Sequence, residues 1–111
     1  MQPRVVLLTD DLMFGSKVEA MIRAAGGEPV LIAAPNQLDA VGDAKLLIVD
    51  LVTDSFEGVN VSLPGTPRLA YYAHTDDDVR RAALTAGFDR VVPRSRMMRE
   101  GVELVTQLLA D

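Results

Sequence analysis

Short apolar runs alternate with amphipathic stretches along the whole chain of 111 residues. Val5-Val6-Leu7-Leu8 is uninterrupted by polar side chains, the pattern of a parallel strand covered on both faces. Leu12 to Ala25 follows at helical spacing, with Val18, Met21, Ile22 and Ala25 on one face and Gly26-Gly27 as the stop. Val30 to Ala34 is a second buried strand. Pro35-Asn36 then opens a short helix over Gln37 to Val41, ahead of Gly42. Leu46-Leu47-Ile48-Val49 is the clearest strand and ends on Asp50. From Leu51 to Pro67 the pattern dissolves, and Gly58, Pro64, Gly65 and Pro67 limit any helix to one or two turns.

Leu69 to Ala73 predicts the fourth strand. Thr75 suits an N-cap, and Asp76-Asp77-Asp78 suit the first turn of a helix with Val79, Ala82, Ala83 and Ala86 inward. Gly87 ends it. Val91-Val92 is a short fifth strand, and Ser95 is placed to cap a last helix with Met98, Val102, Val105, Leu108 and Leu109 inward. The order βαβαβαβαβα, its third helix shortened, predicts an α/β domain with a parallel sheet and helices on both faces.

Composition narrows the function classes. With 49% hydrophobic and 24% charged residues the chain is ordinary globular material, and its length suits one domain spanning 1–111. Cysteine is absent, which removes thiol chemistry and thiolate metal sites and fits a reducing cytoplasm. A net charge of −5 argues against a nucleic-acid partner, because phosphate contacts need a basic surface. The start Met1-Gln2-Pro3-Arg4 leads into too short an apolar run for a signal peptide, and nothing reaches membrane-spanning length. A cytoplasmic protein is therefore expected, and the initial Met with a helical ending is what a complete chain would show.

In a doubly wound sheet of order 2-1-3-4-5, ligands sit beyond the carboxyl ends of the strands, between the first and third. Asp10 and Asp11 follow the first strand and Asp50 ends the third, so three carboxylates are predicted to meet at one edge. Such a group needs a cation or a basic side chain to offset its charge, and hard oxygen ligands suit Mg²⁺. The alternative is structural: Asp10 or Asp11 caps the following helix, and Asp50 is hydrogen-bonded to a loop. There is no dinucleotide fingerprint, no phosphate-binding glycine loop and no nucleophile-elbow pattern, so a nicotinamide-dependent enzyme, a nucleotidase and a triad hydrolase are not supported.

Val-Leu-Leu-Thr-Asp10-Asp11, Leu-Leu-Ile-Val-Asp50-Leu, Tyr-Tyr72-Ala73 and Ala-Gly87-Phe-Asp89-Arg-Val-Val-Pro-Arg94 together resemble the receiver domain of two-component response regulators, over nearly the whole chain. The resemblance implies a flavodoxin-like (CheY-like) three-layer sandwich and a module that accepts phosphate on an Asp beside Mg²⁺. Asp50 matches the phospho-acceptor. The acidic pair falls on Thr9-Asp10 when counted from Gly26, or on Asp10-Asp11 when counted from Gly27. The position of the small Ser or Thr that reads the phosphoryl group falls on Tyr72. The Lys position falls on Arg94, with the Lys-Pro order reversed as Pro93-Arg94.

These departures carry physical weight. Tyr is too bulky to stand in for a small hydroxyl residue, and a planar guanidinium can grip a carboxylate where Lys supplies a point charge. A pseudo-receiver is therefore expected, acting by contact with a kinase or effector protein, its phosphorylation switch lost or altered. The alternative is a working receiver phosphorylated on Asp50 with Mg²⁺, and a third class is a flavodoxin-type small-ligand binder at the same edge. Arg80, Arg81, Arg90, Arg94, Arg96 and Arg99, mixed with Asp76 to Asp78 and Asp89, mark a possible homodimer face on the last two helices, or a solvated surface. His74 is read as either a phosphate-contacting group or an exposed loop residue. Met13-Phe14 and Met97-Met98 are read as core filler or as adaptable partner contacts.

Overall fold

The computed structural model describes residues 2–52, 65–73 and 77–110. Five strands form one parallel sheet: β1 (Arg4–Leu8), β2 (Glu28–Ile32), β3 (Leu46–Asp50), β4 (Arg68–Tyr72) and β5 (Arg90–Pro93). Their spatial order is β2-β1-β3-β4-β5, the order that the resemblance to receiver domains implies. Every neighbouring pair runs parallel, so all carboxyl ends share one edge. The helices are α1 (Leu12–Ala24), α2 (Asp77–Thr85) and α3 (Arg94–Ala110), with a 3₁₀ helix over Pro35–Ala40 in place of the short helix expected there.

Side-chain alternation divides the core in two. One face of the sheet presents Val5, Leu7, Leu46, Ile48, Leu69, Tyr71 and Val92 to α1 and α3; the other presents Val6, Leu8, Leu47, Val49, Ala70 and Tyr72 to Leu38, Ala83 and Phe88. All four apolar residues of β1 are fully buried, because helices or loops cover both of its sides. Sheet order and the α1 turn therefore fix what gathers at the carboxyl edge.

Two glycines position α1. Gly26 takes φ +89° after the last turn and lets the chain reverse. Gly27 then packs so closely that a methyl there would lie 2.9 Å from Val5 Cγ2 and 3.0 Å from Ile22 Cγ2.

The structure corrects several sequence expectations. β2 begins and ends two residues earlier than Val30 to Ala34, since its ladder is set by Arg4 opposite Glu28. Ser95 does not precede the last helix but lies inside it, because α3 starts at Arg94 directly after the strand. That start changes the helix phase: Met97, Gly101, Leu104 and Val105 are buried, while Met98 is 42% and Val102 39% exposed. Gly101 carries no apolar side chain to signal its burial, yet a methyl there would collide with the thioether of Met21. On α2, Ala83 is buried with Val79 and Ala86 against the core, but Ala82 faces outward. The shortened third helix, and the roles expected of His74, Thr75 and Asp76, lie outside the described residues.

Candidate functional site

Asp50 ends β3 almost fully enclosed, at 1% exposure, beside Thr9, also at 1%. Thr9 extends β1 by one residue, its backbone N–H bonding the Ile32 carbonyl at 3.0 Å. Its hydroxyl donates to Asp50 Oδ2 at 2.6 Å. The other carboxylate oxygen, Oδ1, accepts from the Val52 backbone N–H at 2.8 Å. Hydrogen bonds to an ionised carboxylate are short and strong, and both oxygens here hold one. Gly15 on α1 makes room: a methyl there would stand 3.1 Å from Thr9 Cγ2.

The Thr9 hydroxyl also accepts from the Asp11 backbone N–H at 3.0 Å. Asp11 caps α1, its Oδ1 accepting from Phe14 N–H at 3.0 Å, so one of the two structural roles open to the acidic pair is the one it fills. Asp11 Oδ2 lies 3.4 Å from the Arg94 guanidinium, a loose ion pair in which the Asp11 side chain is 30% and the Arg94 side chain 43% exposed. The Arg94 guanidinium carbon itself stands over the Phe14 ring, 4.3 Å from its centroid. Phe14 in turn meets the Tyr71 ring at 5.0 Å, tilted by 50°.

Tyr71 closes this circuit. It pairs with Asp50 across β3 and β4, so both side chains leave the same face of the sheet. Tyr71 is fully buried, and its hydroxyl has no hydrogen-bond partner among the described residues, although Thr9 is near enough to influence it. Burial, then the negative charge of Asp50, holds the phenol far above the ordinary tyrosine range, so it stays neutral.

Asp10, Asp11, Asp50 and Arg94 all stand at the carboxyl edge, as expected, but not as a single cluster. Asp10 is exposed, Asp11 serves the cap and Arg94, and Asp50 is turned inward to Thr9 and Val52. Arg94 thus contacts Asp11 and Phe14, not the grip on Asp50 that the spacing suggested, in the contacts described above. Tyr72 packs with Val49, Ala70 and Phe88 on the opposite face from Asp50, because strand side chains alternate. Tyr71 is the aromatic residue beside the carboxylate. Its signal in the sequence was parity: it pairs with Asp50, whereas Tyr72 is one residue out of phase. Thr9 appeared only in one of two registers for the acidic pair, and its hydroxyl was not singled out.

Mg²⁺ prefers an octahedral set of one or two carboxylates completed by water. Among the described residues no three acidic, histidine or cysteine side chains gather as such a set. Asp11 is committed to the helix cap and a guanidinium, and a threonine hydroxyl fills the position next to Asp50. A resident Mg²⁺ would draw one or two carboxylates from Asp10, Asp11 and Asp50 and complete its shell with water, and Asp50 would have to give up its Thr9 bond to serve.

A five-stranded parallel sheet in this order is the flavodoxin-like arrangement, and superposition on solved structures shows that the chain has the response-regulator receiver (CheY-like) fold. It superimposes on the beryllofluoride-activated DrrB receiver domain with a TM-score of 0.83 at 16% identity over 100% of both chains. A CheY-like receiver domain protein from Methanospirillum hungatei gives 0.82 at 16% identity, covering 99% of this chain and 95% of that one. The receiver domain of the sensor histidine kinase PA1611 from Pseudomonas aeruginosa, which has magnesium coordinated in its active-site cleft, gives 0.81 at 16% identity over 100% of both. No family model and no curated protein matches the sequence. Among the described residues no helix is long and apolar enough to cross a membrane.

Proposed function

We propose that the protein is an atypical receiver-like signalling module that works by protein–protein contact in the cytoplasm, with the phosphorylation switch at Asp50 replaced by an internal hydrogen-bond network. The observation that carries this reading is the 2.6 Å bond from the Thr9 hydroxyl to Asp50 Oδ2, in a carboxylate whose other oxygen is bonded to Val52 N–H. A nucleophilic carboxylate would have to surrender the Thr9 bond before attacking phosphorus. It would do so without a cluster of acidic ligands for Mg²⁺ among the described residues. Arg94, at the position of the expected Lys, is turned to Asp11 and lies over the Phe14 ring. The network holds the edge as a fixed contact surface rather than a switch.

The second reading, a working phospho-receiver, draws support from two relatives of the same fold, one with magnesium in its cleft and one activated by beryllofluoride. Amide NMR in the presence of Mg²⁺ and beryllofluoride separates the two. The proposed function predicts unchanged Thr9, Asp50 and Val52 amides. New resonances for these residues in slow exchange would support the phospho-receiver instead. The homodimer expected on the α2–α3 face is part of the proposal only as one form of protein contact, and sedimentation over a concentration series tests it.

A further inference from the structure

The edge network leaves a hollow beside it that the fold does not use. Its volume is about 500 Å³, and it is lined by Phe14 and Lys17 of α1, Ala73 after β4, and Arg94, Ser95 and Met98 of α3. That is within the range of about 300–1,000 Å³ common for ligand sites. We infer that this hollow is a docking pocket for an acidic segment of a partner protein, an apolar side chain seated against Phe14 and Met98 while a neighbouring carboxylate meets Lys17 and Arg94. The inference rests on the protein-contact reading above and names the partner's chemistry.

Charge complementarity selects this occupant. The chain carries a net charge of −5, yet two of the six described lining residues are cations and none of those six is acidic; the nearest described carboxylate, Asp11, is held 3.4 Å from Arg94 and leaves Lys17 to a partner. Lys17 is exposed and has no ion-pair or hydrogen-bond partner among the described residues. Arg94 is already ordered, 4.3 Å over the Phe14 ring and loosely paired with Asp11 at 3.4 Å, and a guanidinium has further donors to offer a second carboxylate. The larger hollow at the opposite edge, about 780 Å³, is lined by Arg4 and Lys45 but also by Glu28 and Asp43, and has no such bias.

Exposed apolar side chains on the two helices that line the hollow add the apolar half of the specificity. Met98 and Val102 stand one turn apart on α3, both more than a third exposed. Leu12 and Met13 are 71% and 81% exposed in the same turn of α1 that supplies Phe14. Flexible methionines suit an adaptable contact. A free inorganic anion would use the two cations and leave this apolar surface without a role, so a peptide is the fitting occupant.

The test uses the full chain, labelled with ¹⁵N and with ¹³C-methyl methionine, titrated with acetyl-leucyl-glutamyl amide. Shifts are expected at Lys17, Ser95 and Met98, saturating at millimolar peptide. The glutamine analogue should bind about fivefold weaker, as loss of one exposed ion pair implies. Lys17→Glu, on an exposed site outside the Asp50 network, should abolish the response while leaving the thermal midpoint unchanged. Equal binding of the glutamate and glutamine peptides, shifts centred away from these residues, or an unaltered response in Lys17→Glu would overturn the pocket. So would concentration-dependent self-association that occupies the same residues. The two failures are distinct: a missing peptide response removes the pocket alone, whereas phosphoryl uptake by Asp50 removes the reading on which it rests.

Discussion

Replacing Thr9 by Val tests the network at its centre, because the two side chains have nearly the same shape and differ by the hydroxyl. Two bonds end on that hydroxyl: it donates to Asp50 Oδ2 at 2.6 Å and accepts from Asp11 N–H at 3.0 Å. A hydrogen bond to a charged group contributes about 1.5–3 kcal/mol, and a partly buried N–H left without an acceptor costs about 1 kcal/mol more. The added methyl returns about 0.8 kcal/mol through burial. The expected net loss is about 2–3 kcal/mol, a fall in melting temperature of about 10 °C for a domain of this size.

Thr9→Ser keeps the hydroxyl and gives up only the methyl that packs under Gly15, a loss of about 1 kcal/mol. Urea denaturation of both variants and of Asp50→Asn, combined in a double-mutant cycle, isolates the Thr9–Asp50 coupling, expected at about 1.5 kcal/mol or more. A Thr9→Val variant within 0.5 kcal/mol of the parent, or additive behaviour with Asp50→Asn, would refute the reasoning. Either result would mean that the carboxylate is as well served without the hydroxyl.

Tyr71→Phe removes a buried hydroxyl without a partner among the described residues, so near neutral pH it should leave stability unchanged or raise it slightly in urea melts. The alkaline limb should change more. Below about pH 10 both folded and unfolded chains hold the phenol proton; above it the unfolded chain releases the proton first, because burial raises the folded value. Tyr71 therefore makes stability fall with rising pH by about 1.4 kcal/mol per unit, and Tyr71→Phe should remove that slope in melts between pH 9.5 and 11. Gly27→Ala should cost about 1–3 kcal/mol by calorimetry, since the new methyl meets Val5 and Ile22, both fully buried and β-branched. Arg94→Ala should cost about 1 kcal/mol, the sum of a half-exposed stacking contact and a loose ion pair, and Arg94→Lys should recover part of it.

Strand identity was legible because covered parallel strands are written as unbroken apolar runs such as Val5 to Leu8 and Leu46 to Val49, each bounded by turn residues; sheet order came with the resemblance to receiver domains. The carboxyl-edge location of Asp10, Asp11, Asp50 and Arg94 followed from topology alone. The facing of individual side chains did not. Tyr71 and Tyr72 are alike in sequence, and only the pairing of Asp50 with Tyr71 separates the one beside the carboxylate from the one across the sheet. On α3, Val105, Leu108 and Leu109 face the core as expected, but Met98 and Val102 do not, because the first half of the buried stripe passes through Met97 and Gly101, where close approach of α1 stands in for an apolar side chain. The Thr9 bond was hidden because a threonine beside two aspartates draws no notice until the β1 end and the β3 end are placed side by side.

Intact-mass spectrometry after incubation with acetyl phosphate and Mg²⁺ addresses the proposed function most directly. The account predicts an unmodified mass throughout the time course. An added phosphoryl group that disappears in Asp50→Asn would contradict it.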